Sequence, residues 1–281
     1  MPSSSGWSAM PEASGLAGAG GGARPGSGTR TLVLIPTYNE RDNLPALVAE
    51  VLETPGTEVL VIDDQSPDGT GELAEGLGRE HHGRVRVLHR TGRRGLGVSY
   101  LDGFRAALAS GADFVVQMDA DRSHDPRYLG DLIAAATAGA DLVIGSRYLN
   151  GISVVNWPLR RIILSSFANA YIRAVTGLGL RDCTSGFRCW RRAGLAKLPL
   201  DGIVSEGYAF VVEVTFLAVA VGLRAAESPI IFIERREGAS KLSSGVLLES
   251  LITPWRLIFR HGRVRAGGRR GAEYNSAGSG R

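Results

Sequence analysis

From Thr31 onward, short runs of aliphatic and β-branched residues alternate with longer amphipathic stretches, and few folds accept that rhythm. Thr31–Ile35 (TLVLI), Glu58–Ile62 (EVLVI), Val85–Leu88, Asp113–Met118 (DFVVQM) and Asp141–Ile144 are short and almost continuously apolar. Runs of that kind read as strands buried on both faces, as in a parallel sheet. Between them, Arg41–Leu52, Thr70–Arg79, Gly95–Ala109 and Pro126–Ala138 space their Leu, Val and Ala residues as helices do. Asp68-Gly69-Thr70 and Asp125-Pro126 are helix entries, the second with Pro at the first helical position. The expectation is an α/β sandwich: a mixed, mostly parallel sheet flanked by helices.

Beyond residue 150 the rhythm loosens. Pro158–Val175 reads as a helix, Asp182–Trp190 as an irregular or strand segment, and Glu206–Ala220 as a helix or a buried strand. Pro229–Ile233 reads as a strand followed by a charged loop, Glu234 to Lys241. Val246–Phe259 is amphipathic and leads into Arg256, Arg260, Arg263 and Arg265.

Composition sets the outer limits. Residues 1–28 are mostly Ser, Gly, Ala and Pro and cannot bury enough surface to offset their ordering entropy, so a disordered tail is expected there. A second, basic disordered tail is expected over 262–281, leaving one folded domain over 29–244 and an amphipathic helix over 245–261. Two cysteines, Cys183 and Cys189, are too few for a disulfide framework and lack the spacing of a zinc site. No apolar run reaches the roughly 18 residues that a membrane span requires, and the longest candidate, Ala209–Leu223, carries Glu213 in its middle. The start of the chain has neither the basic residues nor the apolar core of a signal peptide. A cytoplasmic protein is therefore expected. The net charge is +4, and nucleic-acid binding would account for the basic tail but for none of the acidic clusters that follow, so no nucleic-acid partner is expected.

Ligands of an open parallel sheet bind beyond the carboxyl ends of its strands. Three strands here end in polar clusters: Pro36-Thr37-Tyr38-Asn39-Glu40, Asp63-Asp64-Gln65-Ser66-Pro67-Asp68, and Asp119-Ala120-Asp121. Strand-end turns and helix caps explain one such cluster, but three in register point to a shared crevice. Acidic pairs there need positive charge, and a hard divalent cation is the usual source. The scattered glycines of GLGVSYLDG (95–103) do not fit a dinucleotide fingerprint and are read as close helix packing, with Arg93 and Arg94 at the rim.

The ordered set PTYNE, VIDDQSPDGT, GLGVSYLDGF, MDADRSHDP, GSRY (145–148), DCTSGFR (182–188), SEGYAF (205–210) and REGASKL (236–242) resembles family 2 glycosyltransferases of the GT-A (Rossmann-like) fold. Within them it is most similar to the polyprenol (dolichol) phosphate mannose synthases, from about Thr31 to Lys241. The resemblance implies transfer of mannose from GDP-mannose to a polyprenyl phosphate with inversion, assisted by Mg2+ or Mn2+. It places Pro36, Tyr38, Glu40, Ile62 and Asp64 around the nucleoside. It places Asp119, Ala120 and Asp121 at the ribose and diphosphate, with Asp121, Asp119 and Ser123 as the metal set. Arg147, with Arg161 and Ser165, would hold the acceptor phosphate, and Arg235 and Lys241 would close over the donor on a mobile lid. Asp119, Asp121 and Arg147 are the catalytic candidates, while Asp182, Thr184, Ser185 and Arg188 would wall donor from acceptor. The resemblance further implies a protein peripheral on the cytoplasmic face of a membrane. The 245–261 helix would anchor it at the membrane surface, a task a membrane-embedded partner protein could also perform. Two other readings share much of this sequence: the same scaffold with UDP-glucose or another nucleotide sugar as donor, and a non-catalytic nucleotide-sugar-binding subunit.

Overall fold

In a computed structural model, the structure describes residues 28–233 and 244–264. Residues 1–27 and 265–281 of the expected tails and the lid segment with Arg235 and Lys241 lie outside the described residues, while Arg263 and Val264, placed in the second tail, are hydrogen-bonded to the carbonyls of Ala174 and Thr176. Strands β1 (Thr31–Thr37), β2 (Thr57–Asp63), β3 (Val85–His89), β4 (Phe114–Gln117) and β5 (Leu142–Ser146) alternate with helices α1 (Leu44–Leu52), α2 (Thr70–Glu80), α3 (Leu96–Ser110) and α4 (Leu129–Thr137). The short β6 (Val154–Val155) follows, then α5 (Leu159–Thr176), β7 (Arg188–Arg191), α6 (Arg192–Leu195), α7 (Gly207–Ala220), β8 (Ala225–Pro229), β9 (Phe232–Ile233) and α8 (Ser244–His261).

Seven strands form one sheet in the order β3-β2-β1-β4-β7-β5-β8, while β6 and β9 pair separately. Every pairing in the large sheet is parallel except those of β7, which runs antiparallel to both β4 and β5. The chain goes outward from β1 through β2 to β3 and then returns to β4 on the other side of β1. The carboxyl ends of β2, β1 and β4 are therefore neighbours, within about 10 Å across three strands. The three polar clusters lie side by side on this edge.

Alternation along the strands builds a core on each face. Leu32 and Leu34 of β1 join Leu60 and Ile62 of β2 beneath α3 and α7, with Ile172 of α5 and Leu257 of α8 completing that side. Val33, Ile35, Val59 and Val61 face the opposite way, onto α1, α2 and α4. The glycines of α3 allow it to lie close to its neighbours. A Cβ at Gly103 would stand 2.5 Å from Ile62 Cδ1, and one at Gly97 would stand 3.0 Å from the Ser205 carbonyl.

Some expected elements change form. The Asp125-Pro126 entry opens with a 3-10 turn, Pro126–Tyr128, in which the Asp125 carboxylate accepts the Arg127 N–H at 3.0 Å before α4 begins. Glu206–Ala220 resolves as helix, and the expected strand at Pro229–Ile233 divides between the end of β8 and β9. Glu213 is buried on α7, where it accepts the backbone N–H of Ser205 at 2.9 Å and that of Val204 at 3.3 Å.

Candidate active site

The β2 end gives the crevice its first fixed charges. Asp64 is nearly buried and accepts a hydrogen bond from Arg90 Nη1 and another, at 2.8 Å, from the Gly95 N–H that leads into α3. Arg90 is equally buried and donates to Asp102 at 2.8 Å, to Ser99 Oγ at 3.2 Å and to the Arg93 carbonyl at 2.8 Å. Asp64 thus ties β2 to the exit of β3 and to a helix N-terminus, where negative charge is favoured. A carboxylate has about four acceptor positions, so these two bonds leave Asp64 capacity for a ligand. Arg90 was missed by the sequence reading; its one signal was a position directly after the strand paired with β2.

Around Asp64 the expected nucleoside residues divide. Tyr38 is half-exposed at the crevice mouth, with the Arg94 guanidinium 4.8 Å from its ring centre and donating to its hydroxyl at 3.1 Å. Arg94 also donates to the Gln65 carbonyl at 3.1 Å, joining the first two clusters. Glu40 accepts from Asn43 Nδ2 at 2.8 Å, and Pro36 is half-buried within β1. Ile62 and Ala120 differ from these in presenting no side chain to the crevice. Both side chains are buried in the core, Ile62 against Gly103 and Ala120 on the opposite face, so only their backbones are available to the crevice.

The β4 end carries the paired carboxylates. Arg122 takes a positive φ of 62°, and in the turn it makes Asp121 Oδ1 accepts the Ser123 N–H at 3.0 Å. Ser123 thus supports Asp121 through its backbone amide. Asp119 accepts from the buried Tyr100 hydroxyl at 3.2 Å. Desolvation lifts its carboxyl above the ordinary aspartate range, and the Asp121 charge adds to this. Among the described residues no larger group of His, Cys, Asp or Glu forms a metal cage. The two aspartates fit a cation that takes one or two carboxylates and completes its shell with phosphate oxygens and water, as Mg2+ and Mn2+ do.

Arg147, just beyond β5, is held by Asp182. Its Nε donates to Asp182 Oδ2 at 2.7 Å and its Nη2 to Oδ1 at 2.8 Å, while its backbone N–H also reaches Oδ2, at 3.0 Å. Nη2 donates to Thr184 Oγ1 as well, at 2.7 Å. Burial opposes both charges, but their attraction prevails and holds Asp182 below and Arg147 above their ordinary values. Arg161 stacks on Trp157 at 4.2 Å, with Arg147 5.5 Å from the same ring, which gathers two guanidiniums at one place. Ser165 Oγ accepts from the Tyr148 hydroxyl at 2.8 Å. Arg188 and Asp182 are not wall residues, because both are fully buried. Arg188 donates to the carbonyls of Ser185, Val211 and Cys183, and burial draws its guanidinium down to about 10.

A cavity of about 440 Å³ joins Asp119 to the Arg147–Arg161 pair. Asp119, His124, Arg147, Arg161, Ser165 and Thr184 supply polar lining. Ala168, Ile172, Val212 and Leu251 continue it between α5, α7 and α8. Arg161, Ser165, Ala168 and Ile172 follow one face of α5, a length of about 16 Å at the helical rise. An anionic group at one end with an apolar chain behind it matches this lining.

Comparison with known proteins agrees with the geometry. Residues 32–198 match the glycosyl transferase family 2 model. A polyprenol monophosphomannose synthase of Mycolicibacterium smegmatis is 47% identical over 239 residues, covering 84% of this chain and 90% of its own. An undecaprenyl-phosphate mannosyltransferase of Micrococcus luteus is 45% identical over 240 residues, covering 84% of this chain and 98% of its own. Among solved structures, glucosyl-3-phosphoglycerate synthase from Mycobacterium tuberculosis, in complex with Mn2+, UDP and phosphoglyceric acid, superposes with a TM-score of 0.58 at 19% identity, over 85% of this chain and 81% of its own. That likeness concerns the fold alone. With the sheet, the crevice and the relatives in agreement, the chain is a GT-A glycosyltransferase and belongs to glycosyl transferase family 2.

Proposed function

We propose that this enzyme transfers mannose from GDP-mannose to a polyprenyl monophosphate, with inversion at the anomeric carbon. The observation that carries the reading is the single cavity running from Asp119 and the Arg147–Arg161 pair into an apolar groove on α5. A water-soluble acceptor would have no use for that groove, and an apolar one would have no use for the guanidiniums. The names of the relatives in Mycolicibacterium smegmatis and Micrococcus luteus support the same acceptor and sugar.

A phosphate monoester is largely dianionic at neutral pH, its second pKa being about 6, so the acceptor oxygen attacks without a strong general base. Arg147 and Arg161 orient that phosphate, and the fork of a guanidinium suits it because two bonds form at once. The new bond joins the phosphate oxygen to the anomeric carbon while the bond to the GDP oxygen breaks, and GDP leaves with the electron pair. Asp119 and Asp121 would hold Mg2+ or Mn2+, which when bound neutralises charge on the departing diphosphate. Tyr38, Arg94 and Asp64 face the nucleoside. Attack from the side opposite GDP gives inversion in one displacement, and positioning supplies most of the acceleration.

Access to a lipid acceptor requires contact with a membrane. Among the described residues no helix is long and apolar enough to cross one. Leu159, Ile163 and Phe167 of α5 stand exposed, as do Leu251, Trp255 and Phe259 of α8, beside Arg256, Arg260 and Arg263. The two helices are tied by hydrogen bonds from Trp255 Nε1 to the Tyr171 hydroxyl (2.8 Å) and from that hydroxyl to the Leu251 carbonyl (2.7 Å). We place this surface in the membrane interface.

The test is incubation of purified protein with labelled GDP-mannose, a polyprenyl phosphate and Mg2+ or Mn2+, beside a UDP-glucose arm and an Asp121→Ala variant. A lipid-extractable mannosyl product, lost on chelation and in the variant, supports the reading. Transfer from UDP-glucose alone overturns the sugar, and nucleotide-sugar binding with no transfer overturns catalysis by this chain alone.

A further inference from the structure

His124 follows the paired carboxylates by three residues, and the transfer chemistry gives it no task. It is 2% exposed, and its Nδ1 accepts the backbone N–H of Asp119 at 3.0 Å. A ring nitrogen that accepts carries no proton, so this contact leaves Nε2 as the nitrogen that bears one. Nε2 lies 3.7 Å from Asp119 Oδ2. That is beyond hydrogen-bond length, but close enough for the N–H dipole to act on the carboxylate. The ring cannot turn away freely, since it stacks on Phe187 (5.1 Å, 14°) and meets the edge of Phe232 (6.0 Å, 76°). On the other carboxylate oxygen, Oδ1, the Tyr100 hydroxyl donates at 3.2 Å. Tyr100 is itself fully buried and stacked on Phe210 at 6.1 Å.

The geometry points to His124 as a positioning residue for Asp119. Its tautomer is set by the Asp119 backbone, and its Nε2–H and the Tyr100 hydroxyl each address a different oxygen of the carboxylate. The carboxylate is thereby oriented before any ligand arrives. Outer partners of this kind commonly set the direction of a metal-binding side chain. The inference rests on the reading of Asp119 and Asp121 as the residues that meet a diphosphate-bound cation.

Two measurements on the full chain test it. In metal-free protein labelled with 15N-histidine, long-range proton–nitrogen correlation reads the tautomer, with the His124→Asn spectrum giving the assignment. Nδ1 is expected to be the unprotonated nitrogen; a proton on Nδ1 overturns the inference. The second measurement is binding of Mn2+ in the presence of GDP, followed by the paramagnetic resonance of free Mn2+. His124→Asn keeps an acceptor for the Asp119 N–H and loses the Nε2 donor, so it should fold as the parent does. Its Mn2+ affinity should fall about 10- to 100-fold, the usual loss for an outer partner, and Tyr100→Phe should fall similarly. Affinity equal to the parent in His124→Asn overturns the role of His124. Asp121→Ala separates the two levels: if it alone loses Mn2+ binding, the site reading stands and the positioning role falls. If Asp121→Ala also binds normally, the site reading itself fails, whatever the tautomer.

Discussion

Asp182→Asn preserves shape and removes one charge from the pair that holds Arg147. The Asp182 carboxylate is fully buried and accepts the Nε and Nη2 of Arg147 at 2.7 and 2.8 Å and the Thr184 N–H at 3.2 Å. Asparagine retains one acceptor oxygen, and its amide nitrogen then meets guanidinium donors. Arg147, only 7% exposed, would stay charged without a counterion. Removing one member of a buried pair costs about 3–5 kcal/mol. For a folded region of this size each kcal/mol lowers Tm by about 2–4 °C, so the expected fall is about 6–20 °C.

The pH dependence has a definite sign. Burial alone would raise the Asp182 carboxyl, but Arg147 and the surrounding N–H donors outweigh it and hold the group below its ordinary range. A depressed carboxyl contributes stability that is present above its unfolded pKa of about 3.9 and lost as pH falls through the lower folded value. The gap between parent and variant should therefore be constant between about pH 5 and 7 and shrink below about pH 4. Urea unfolding followed by tryptophan fluorescence at a series of pH values measures it. A variant within about 1 kcal/mol of the parent at pH 7, or a gap that widens on acidification, would refute the argument. Because Asp182 also aims Arg147, the KM for polyprenyl phosphate should rise in the variant while that for the nucleotide sugar stays near the parent's.

Other expectations follow from single contacts. Burial pushes the Cys183 thiol up to about 12 and lifts Cys189 as well, so a disulfide reagent at pH 8 should label neither thiol until the protein is unfolded. Arg90→Lys should raise the KM for the nucleotide sugar more than it lowers kcat, because one ammonium cannot serve Asp64, Asp102, Ser99 and the Arg93 carbonyl together; an unchanged KM would count against that network. Phe259 is 82% exposed, so Phe259→Asp should change stability by less than about 0.5 kcal/mol yet reduce sedimentation with anionic liposomes. Equal sedimentation would remove α8 from the membrane contact. Gly103→Val places its branch where Ile62 Cδ1 already sits and should cost about 1–3 kcal/mol in urea unfolding.

The sheet was legible because its strands are buried on both faces, and continuous apolar runs such as TLVLI have few other uses. The three acidic or polar clusters were legible for the same reason: each directly follows such a run. The residues that fix them were not. Asp182 lies 35 positions from the Arg147 it holds, and Arg90 lies 26 from Asp64. Such pairings depend on which strands become neighbours, which local periodicity does not record. Arg188 was misjudged for a related reason. Arginine in a motif usually signals a surface or a ligand, whereas β7 runs antiparallel between β4 and β5 and carries this one into the core, onto three carbonyls.

α5 exposes the deepest limit of sequence reading. Leu159, Ile163 and Phe167 recur every four residues, the spacing by which a helix marks its buried face. In the folded chain these three are 71%, 60% and 63% exposed, with Phe167 at the rim of the cavity that the adjoining row of Arg161, Ser165, Ala168 and Ile172 lines. A stripe meant for the core and a stripe meant for an apolar surroundings have the same period, and only the position of the sheet tells them apart. Once it does, α5 offers guanidinium and hydroxyl groups to a phosphate on one row and an apolar face to a bilayer on the next. That places the headgroup and the tail of one acceptor within reach of one helix, so a charge introduced at Ile163, which is exposed and outside the cavity lining, should impair use of a long-chain acceptor while sparing a short, soluble one. Equal loss with both acceptors would mean that the outer row serves the fold rather than the lipid.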